Sequence, residues 1–316
     1  MFREKIKVLD CTIRDGGLMN NHDFDLRFVR EVYKAISAAG VDYIELGYKN
    51  SKELFSPKEY GLWKFCDDND IRKAIEGVES KTKISVMVDI GRVNIDDVKP
   101  ASESPVDMIR VAAYVKDIDK AIFMVNHFSD KGYETTINIM AISKDQGVEL
   151  DEALRQIEGE SKANVVYIVD SFGNLYQETT EILVKRFKAI LKTREVGFHG
   201  HNHQQLAFSN TIEAIIHNAN YLDATIYGIG RAAGNCPLEL LIGFLKNPKF
   251  DLRPILDIIS QEFIPLSNKI EWGYVIPYAI AGMMNEHPKA AMALRSSDKK
   301  ENYREFYESL LNTGLE

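Results

Sequence analysis

A chain of 316 residues with 45% hydrophobic composition is long enough for one large α/β core or for two smaller domains. Its net charge of -8, with no dense Lys/Arg block, argues against a nucleic-acid partner, and its three scattered cysteines argue against a disulfide framework or a Cys-rich zinc site. The stretch MFREKIKVLDCTIRDGG has no long apolar core, and no later segment approaches about 18 uninterrupted apolar residues, so a soluble cytoplasmic protein without membrane contact is expected.

Short β-rich runs then recur along the chain, at 6–13, 42–48, 83–90, 108–114, 134–140, 164–170, 196–201 and 221–228. Between them, 26–40, 117–132, 149–160, 179–192 and 208–219 return apolar residues at three- and four-residue spacing, as amphipathic helices do. Alternating strands and helices imply a parallel sheet with right-handed crossovers, and eight such units suit a closed (β/α)8 TIM barrel better than an open sheet. The link at 93–100 leaves room only for a short helix. Residues 237–247 would be the eighth barrel helix, with Pro237 suited to its first turn. The expected division is a catalytic barrel over 1–248 and a small helical C-terminal extension over 249–316, packing on the barrel or on a partner subunit. Within the extension Pro277 suits a helix start and Pro288 a helix end.

In such a barrel the chemistry gathers at the C-terminal strand ends. The first run ends in Arg14, Asp15, Gly16 and Gly17, a cation and a carboxylate followed by glycines that permit a sharp turn or close approach to a ligand. An Arg–Asp pair bracing the turn is the plainer reading. Further polar residues stand near the later ends: Glu45, Tyr48, Asp89, Arg110, Asn138, Asp170 and Ser171. In the seventh run His199 and His201 are two apart, so on a strand both point the same way. They are either core or loop histidines, or two imidazoles that reach one divalent ion, with Asp15 adding an oxygen. Mn2+, Mg2+, Zn2+ and Fe2+ all suit such a set with open positions. His203 lies beyond the strand end, in a substrate-side or loop role. The glycine-rich 228–237 loop has neither the spacing of a dinucleotide fingerprint nor the ending of a phosphate loop.

LDCTIRDGG, VDSFG at 169–173, the HxH at 199–201 and IGRAAGNCPLE at 229–239, in that order, resemble the metal-dependent pyruvate aldolase and lyase superfamily with an Arg-Asp signature. These are the hydroxymethylglutaryl-CoA lyase-like TIM barrels, and the resemblance is nearest to the 4-hydroxy-2-oxovalerate aldolase branch. It implies Asp15, His199 and His201 as metal ligands, with Asn235 joining them in the lyase branch, and Mn2+ or Mg2+ as cofactor, Zn2+ or Co2+ being alternatives. It also implies Arg14 as the stabiliser of an enolate oxygen, and Ser171, beside Asp170, at the substrate carboxylate. Asn138, Gly16 and Gly17 complete the expected substrate contacts. The chain departs from the aldolases at Leu18, where that branch places its catalytic histidine, so His22 or Tyr278, or else Tyr274, is expected to serve as base.

The expected reaction is cleavage or formation of a 4-hydroxy-2-oxo acid through a pyruvate enolate, whose charge a divalent ion and an arginine stabilise. A Claisen-type acyl-CoA lyase or synthase, and a catalytically silent structural or regulatory barrel, are the alternatives. The partners implied are a small 2-oxo acid and an aldehyde, a second copy of the chain in a homo-oligomer, and in some relatives an aldehyde-processing enzyme.

Overall fold

The computed structural model describes residues 3–313. All eight predicted runs form strands: β1 (Lys7–Asp10), β2 (Tyr43–Tyr48), β3 (Lys83–Asp89), β4 (Met108–Ala113), β5 (Glu134–Ile139), β6 (Val165–Asp170), β7 (Glu195–Gly200) and β8 (Tyr221–Ala224). They pair in parallel in sequence order, and β8 closes on β1 through the register Lys7↔Tyr221 to Asp10↔Ala224. The protein is an eight-stranded TIM barrel with additional C-terminal helices.

The amphipathic segments wrap the barrel as Leu26–Ala38, Ile118–Asp130, Val148–Glu160, Gln177–Ile190 and Ala207–Ile216, and Leu238–Leu245 follows β8. The first is started by Asp25, whose carboxylate accepts from the Phe28 N–H at 2.7 Å, and it buries Phe28, Val29, Val32, Tyr33 and Ile36 against the sheet. An eight-residue helix, Asp68–Ile75, escaped the sequence reading because it buries only Ile71 and Ala74. The link after β3 holds two 3-10 turns, Ile95–Asp97 and Ala101–Glu103, in place of a barrel helix.

Two strand boundaries differ from expectation, and both shape the mouth. β1 stops at Asp10 because its carboxylate accepts from the backbone N–H and the hydroxyl of Thr12, which turns the chain into a short helix, Thr12–Gly16. Arg14 and Asp15 therefore sit on a helical turn above the strand. β8 stops at Ala224 because the next residue, Thr225, pairs with the loop instead, its N–H donating to the Cys236 carbonyl.

Beyond the barrel, Arg253–Ile258, a wide-turn segment Ile259–Phe263 and Ile264–Ser267 run on, with the Phe263 ring 5.5 Å from Phe28 of the first barrel helix. Pro277 lies in the first turn of Ile276–Met283, and Pro288 precedes a further helix, Lys289–Arg295, that was not anticipated. The last helix is Tyr303–Thr313. Tyr278, Ile280, Ala281, Ala291 and Phe306 form a small core with Ala232 and Ala233 of the loop after β8, so the extension packs beside the barrel mouth. Among the described residues no helix is long and apolar enough to cross a membrane.

Candidate metal and substrate site

The short helix after β1 is anchored from both sides. The Asp15 N–H donates to the Cys11 carbonyl, and the Thr12 hydroxyl accepts from the Ile226 N–H across the barrel seam at 2.8 Å. This holds the buried Asp15 against the end of β7. Its Oδ2 lies 3.3 Å from His199 Nε2 and 4.0 Å from His201 Nε2. Both carboxylate oxygens are buried, and among the described residues neither accepts a well-aligned hydrogen bond, Oδ2 meeting only the ion-pair contacts of Arg14 and the two imidazoles. Each imidazole is fixed through its other nitrogen: His199 Nδ1 donates to Asp223 Oδ2 at 2.8 Å, and His201 Nδ1 to the Asp170 carbonyl at 2.9 Å. Both Nε2 lone pairs are thereby left to face Asp15, the tautomer and orientation that metal-bound histidines adopt.

This set fits a divalent cation. At metal–ligand distances of about 2.1 Å, neighbouring ligands stand roughly 3 Å apart, close to the spacing here. One carboxylate and two neutral nitrogens leave open positions for water and substrate oxygens. The electrostatics agree. Burial would raise the Asp15 pKa, but Arg14 and the two histidines hold it well below the usual carboxylate range. Burial drives His201 well below its ordinary value, and hence neutral. Burial acts the same way on His199, but Asp15 and Asp223 outweigh it and raise its pKa.

Cys11, His199 and Asp223 also lie within metal-binding reach of one another. That cluster is the poorer site, because His199 Nδ1 already serves Asp223 and burial keeps the Cys11 thiol protonated. Glu181, Glu213 and His217, on the outer helices, form a half-buried ion-pair cluster, with Nε2 of His217 2.8 Å from Glu213.

Below Asp15 the barrel floor is a charged network that sequence reasoning saw only in part. The Arg14 Nε donates to Glu45 Oε2 at 2.7 Å, and an Arg14 Nη lies 3.1 Å from Asp15. Arg110 donates to the same Glu45 oxygen at 3.1 Å and to Asp223 at 2.5 Å, with its guanidinium 4.4 Å from the centre of the Tyr167 ring. Glu45 and Arg110 are thus mid-strand floor residues rather than strand-end ones. Asp223 was missed; its one signal was a lone charge at an inward position of an otherwise apolar strand. Two guanidiniums against the three carboxylates of Asp15, Glu45 and Asp223 leave one negative charge for a cation to meet.

A cavity of about 490 Å³ opens above this floor and brings together Arg14, Asp15, Asn138, Ser171, His199 and His201. Ser171 accepts from the Ala141 N–H at 2.8 Å, and the Asn138 amide oxygen accepts from the Thr136 hydroxyl at 2.6 Å. Asn235 pairs with His201 across a backbone bridge, and among the described residues its buried Oδ1 has no hydrogen-bond partner while its Nδ2 donates to the Ile229 carbonyl.

Other expected residues lie off the cavity wall. His22 is buried behind Gly17, edge-on to Tyr48, and Leu18 occupies the wall in its stead. Tyr278 is drawn into the small core of the extension, its hydroxyl 3.2 Å from Glu271, and Tyr274 is exposed. Asp170 is engaged by the Asn174 and Leu175 N–H groups and braces the loop. Gly16 and Gly17 are small for packing: a Cβ on Gly17 would stand 2.3 Å from the His22 ring and one on Gly16 3.1 Å from Ile229. His203 is buried against Gly173 and Gly282, and among the described residues neither ring nitrogen has a hydrogen-bond partner. Arg231 and His287, which sequence reasoning did not single out, do line the cavity.

The 4-hydroxy-2-oxovalerate aldolase of Thermus thermophilus is 32% identical over 263 residues, covering 82% of this chain and 75% of that protein. The oxaloacetate decarboxylase of Mycobacterium tuberculosis is 29% identical over 301 residues, covering 92% and 87%. The crystal structure of the N-terminal domain of an aldolase candidate from Bacteroides vulgatus superposes with a TM-score of 0.79 at 30% identity, covering 95% of this chain and 99% of that one. The family model described as HMGL-like matches residues 5–259, and with the barrel and its Asp-His-His cluster it supports an enzyme of the metal-dependent lyase and aldolase type. The chain belongs to the HMGL-like family.

Proposed function

We propose that this protein is a divalent-metal-dependent aldolase that cleaves or forms a 4-hydroxy-2-oxo acid through the enolate of pyruvate or a similar 2-oxo acid. The observation that carries this reading is the convergence of Asp15 and two correctly oriented imidazoles beside Arg14, at the floor of one cavity. Asp15, His199 and His201 would hold the ion, Mn2+ or Mg2+ before Zn2+ or Co2+, with Asn235 as a further oxygen donor. When bound, the ion supplies Lewis-acid polarisation of the 2-oxo group.

The residues of the chain do the rest. Arg14 donates through Nε to Glu45 and sets one Nη against Asp15, and its remaining N–H groups are held, aligned and shielded from water, for the oxygen on which charge develops. Ser171 and Asn138 face the cavity as partners for the substrate carboxylate. In cleavage the C4 hydroxyl proton passes to a base, the C3–C4 bond electrons move onto the 2-oxo fragment, and an aldehyde leaves. With His22 and Tyr278 off the wall, the wall's own titratable groups Tyr48 and Asp89 are the candidates for the base.

Decarboxylation of oxaloacetate is the second reading. It forms the same enolate without removing a hydroxyl proton, and it is favoured by Leu18 standing where the aldolase branch has its base. The test loads the purified protein with Mn2+ and follows deuterium exchange into the pyruvate methyl group, aldol cleavage of 4-hydroxy-2-oxo acids and carbon dioxide release from oxaloacetate. Metal-dependent exchange with aldol cleavage is expected. Carbon dioxide release alone would select the second reading, and no exchange with pyruvate or any other 2-oxo acid would reject both.

A further inference from the structure

Four cationic side chains line the cavity, and three are already neutralised. Arg14 meets Glu45 and Asp15, Arg92 meets Asp89 at 3.2 Å, and Lys120 meets Asp117 at 2.8 Å. Arg231 is different: among the described residues no carboxylate lies within ion-pair distance of it, and its buried Nε has no hydrogen-bond partner. A guanidinium does not discharge by losing its proton, so one held at a cavity wall without a counter-charge calls for an anion. Burial lowers its pKa, and Asp15, the largest opposing influence, does not restore it.

Among the described residues, the one side-chain hydrogen-bond contact of Arg231 sharpens this. An Arg231 Nη lies 3.2 Å from Nε2 of His287, a residue that the helical extension delivers to the cavity. Nδ1 of His287 already accepts from the Lys289 N–H at 3.1 Å. A neutral imidazole has one N–H and one lone pair, so it cannot accept at both nitrogens. With the proton on Nε2, two donors face each other across the gap to Arg231; with the proton on Nδ1, the conflict moves to Lys289. Protonating both nitrogens would add a second charge, and burial, Arg231 and Lys289 oppose that by holding the His287 pKa at about 4. An anionic oxygen that accepts from both Arg231 and His287 Nε2 removes the conflict and supplies the missing charge.

We propose that Arg231 and His287 form a second anion subsite, which selects reactants whose aldehyde half carries a carboxylate or a phosphate. This rests on the aldolase reading, which assigns the carboxylate of the 2-oxo acid to the metal side, near Ser171 and Asn138, and so leaves Arg231 for a distal group. The cavity volume of about 490 Å³ lies within the range of pockets that enclose drug-sized ligands, with room for a substrate longer than a five-carbon acid.

The test compares wild-type, R231Q and R231K protein, loaded with Mn2+, in condensation of pyruvate with succinic semialdehyde, glyceraldehyde 3-phosphate, propanal and glyceraldehyde. The wild type is expected to favour at least one anionic aldehyde over its neutral counterpart, and the arm that responds tells carboxylate from phosphate. R231Q is expected to lower that anionic-to-neutral ratio of kcat/KM by about 10- to 100-fold, with partial recovery in R231K. An equal preference for neutral aldehydes, or an unchanged ratio in R231Q, would overturn the subsite. Pyruvate deuterium exchange in the wild type reports separately on the aldolase reading. Calorimetric binding of inorganic phosphate and of succinate reads the subsite without turnover: weakening of about tenfold or more in R231Q is expected for one of them, and equal affinities for both would overturn the proposal even if no aldol reaction is found.

Discussion

Asp223→Asn changes one atom type in the floor of the barrel and tests how the protein prepares its metal ligand. Oδ2 of Asp223 accepts simultaneously from His199 Nδ1 at 2.8 Å and from Arg110 at 2.5 Å, and Oδ1 is buried without a partner. An asparagine can keep its carbonyl oxygen toward both donors and place its amide where Oδ1 stood, so the shape persists while the charge goes. The floor then counts two guanidiniums against Glu45 and Asp15, and the single negative charge that awaits a cation is lost. His199 also becomes a poorer donor to the metal through Nε2. Removing such an outer carboxylate typically weakens metal affinity by about 10- to 100-fold, which corresponds to roughly 1.4–2.8 kcal/mol. Arg110 keeps Glu45 at 3.1 Å, so the fold should lose less than the roughly 3–5 kcal/mol that stripping a buried charge of its partner costs. Mn2+ titration followed by electron paramagnetic resonance would give the first quantity, and urea unfolding in the presence of a chelator the second. Affinity within twofold of wild type, in a protein whose H199A variant has lost the metal, would refute the argument that Asp223 tunes the ligand.

Other changes separate the roles at the mouth. Alanine at Asp15, His199 or His201 should strip most Mn2+ from the dialysed protein, as measured by elemental analysis, and full retention in all three would rule out this ligand set. R14A should keep the metal but lower kcat by about 10²- to 10³-fold, as loss of one oxyanion donor does; near-normal turnover would reject its role. A third change concerns pH. Burial, with Lys64 and Arg14 adding to it, holds the His22 pKa down at about 3 against an ordinary 6.5. The fold thus favours the neutral ring, and the stability His22 contributes is fully present above pH 6.5 and is lost as pH falls toward 3. In H22Q the unfolding free energy should fall less steeply across that window, by up to about 1.4 kcal/mol per pH unit; an unchanged slope would show that His22 does not titrate in this way.

The barrel was legible because hydrophobic periodicity is a local property. Each strand run and each amphipathic stretch had to bury one face, and their alternation left few ways to close the sheet. The same local logic made the HxH pair conspicuous, since residues two apart on β7 share a direction. What happens between strands distant in the chain was not legible. The pairing of Arg110 with Glu45 and Asp223, and of Asp223 with His199, joins residues from four strands that only barrel closure brings together. His22 illustrates the limit from the other side: in the sequence it is the imidazole nearest to the expected base position, but a turn with positive φ at Asn21 and His22 folds it behind Gly17. Arg231 and His287 stand 56 residues apart and meet only because the helical extension packs beside the loop after β8. Periodicity and the order of the motifs were enough to point to the kind of barrel and to its candidate ligands. Which charges are paired, which imidazole nitrogens are free and which guanidinium still lacks an anion depend on contacts made across the closed sheet, and these no stretch of sequence displays.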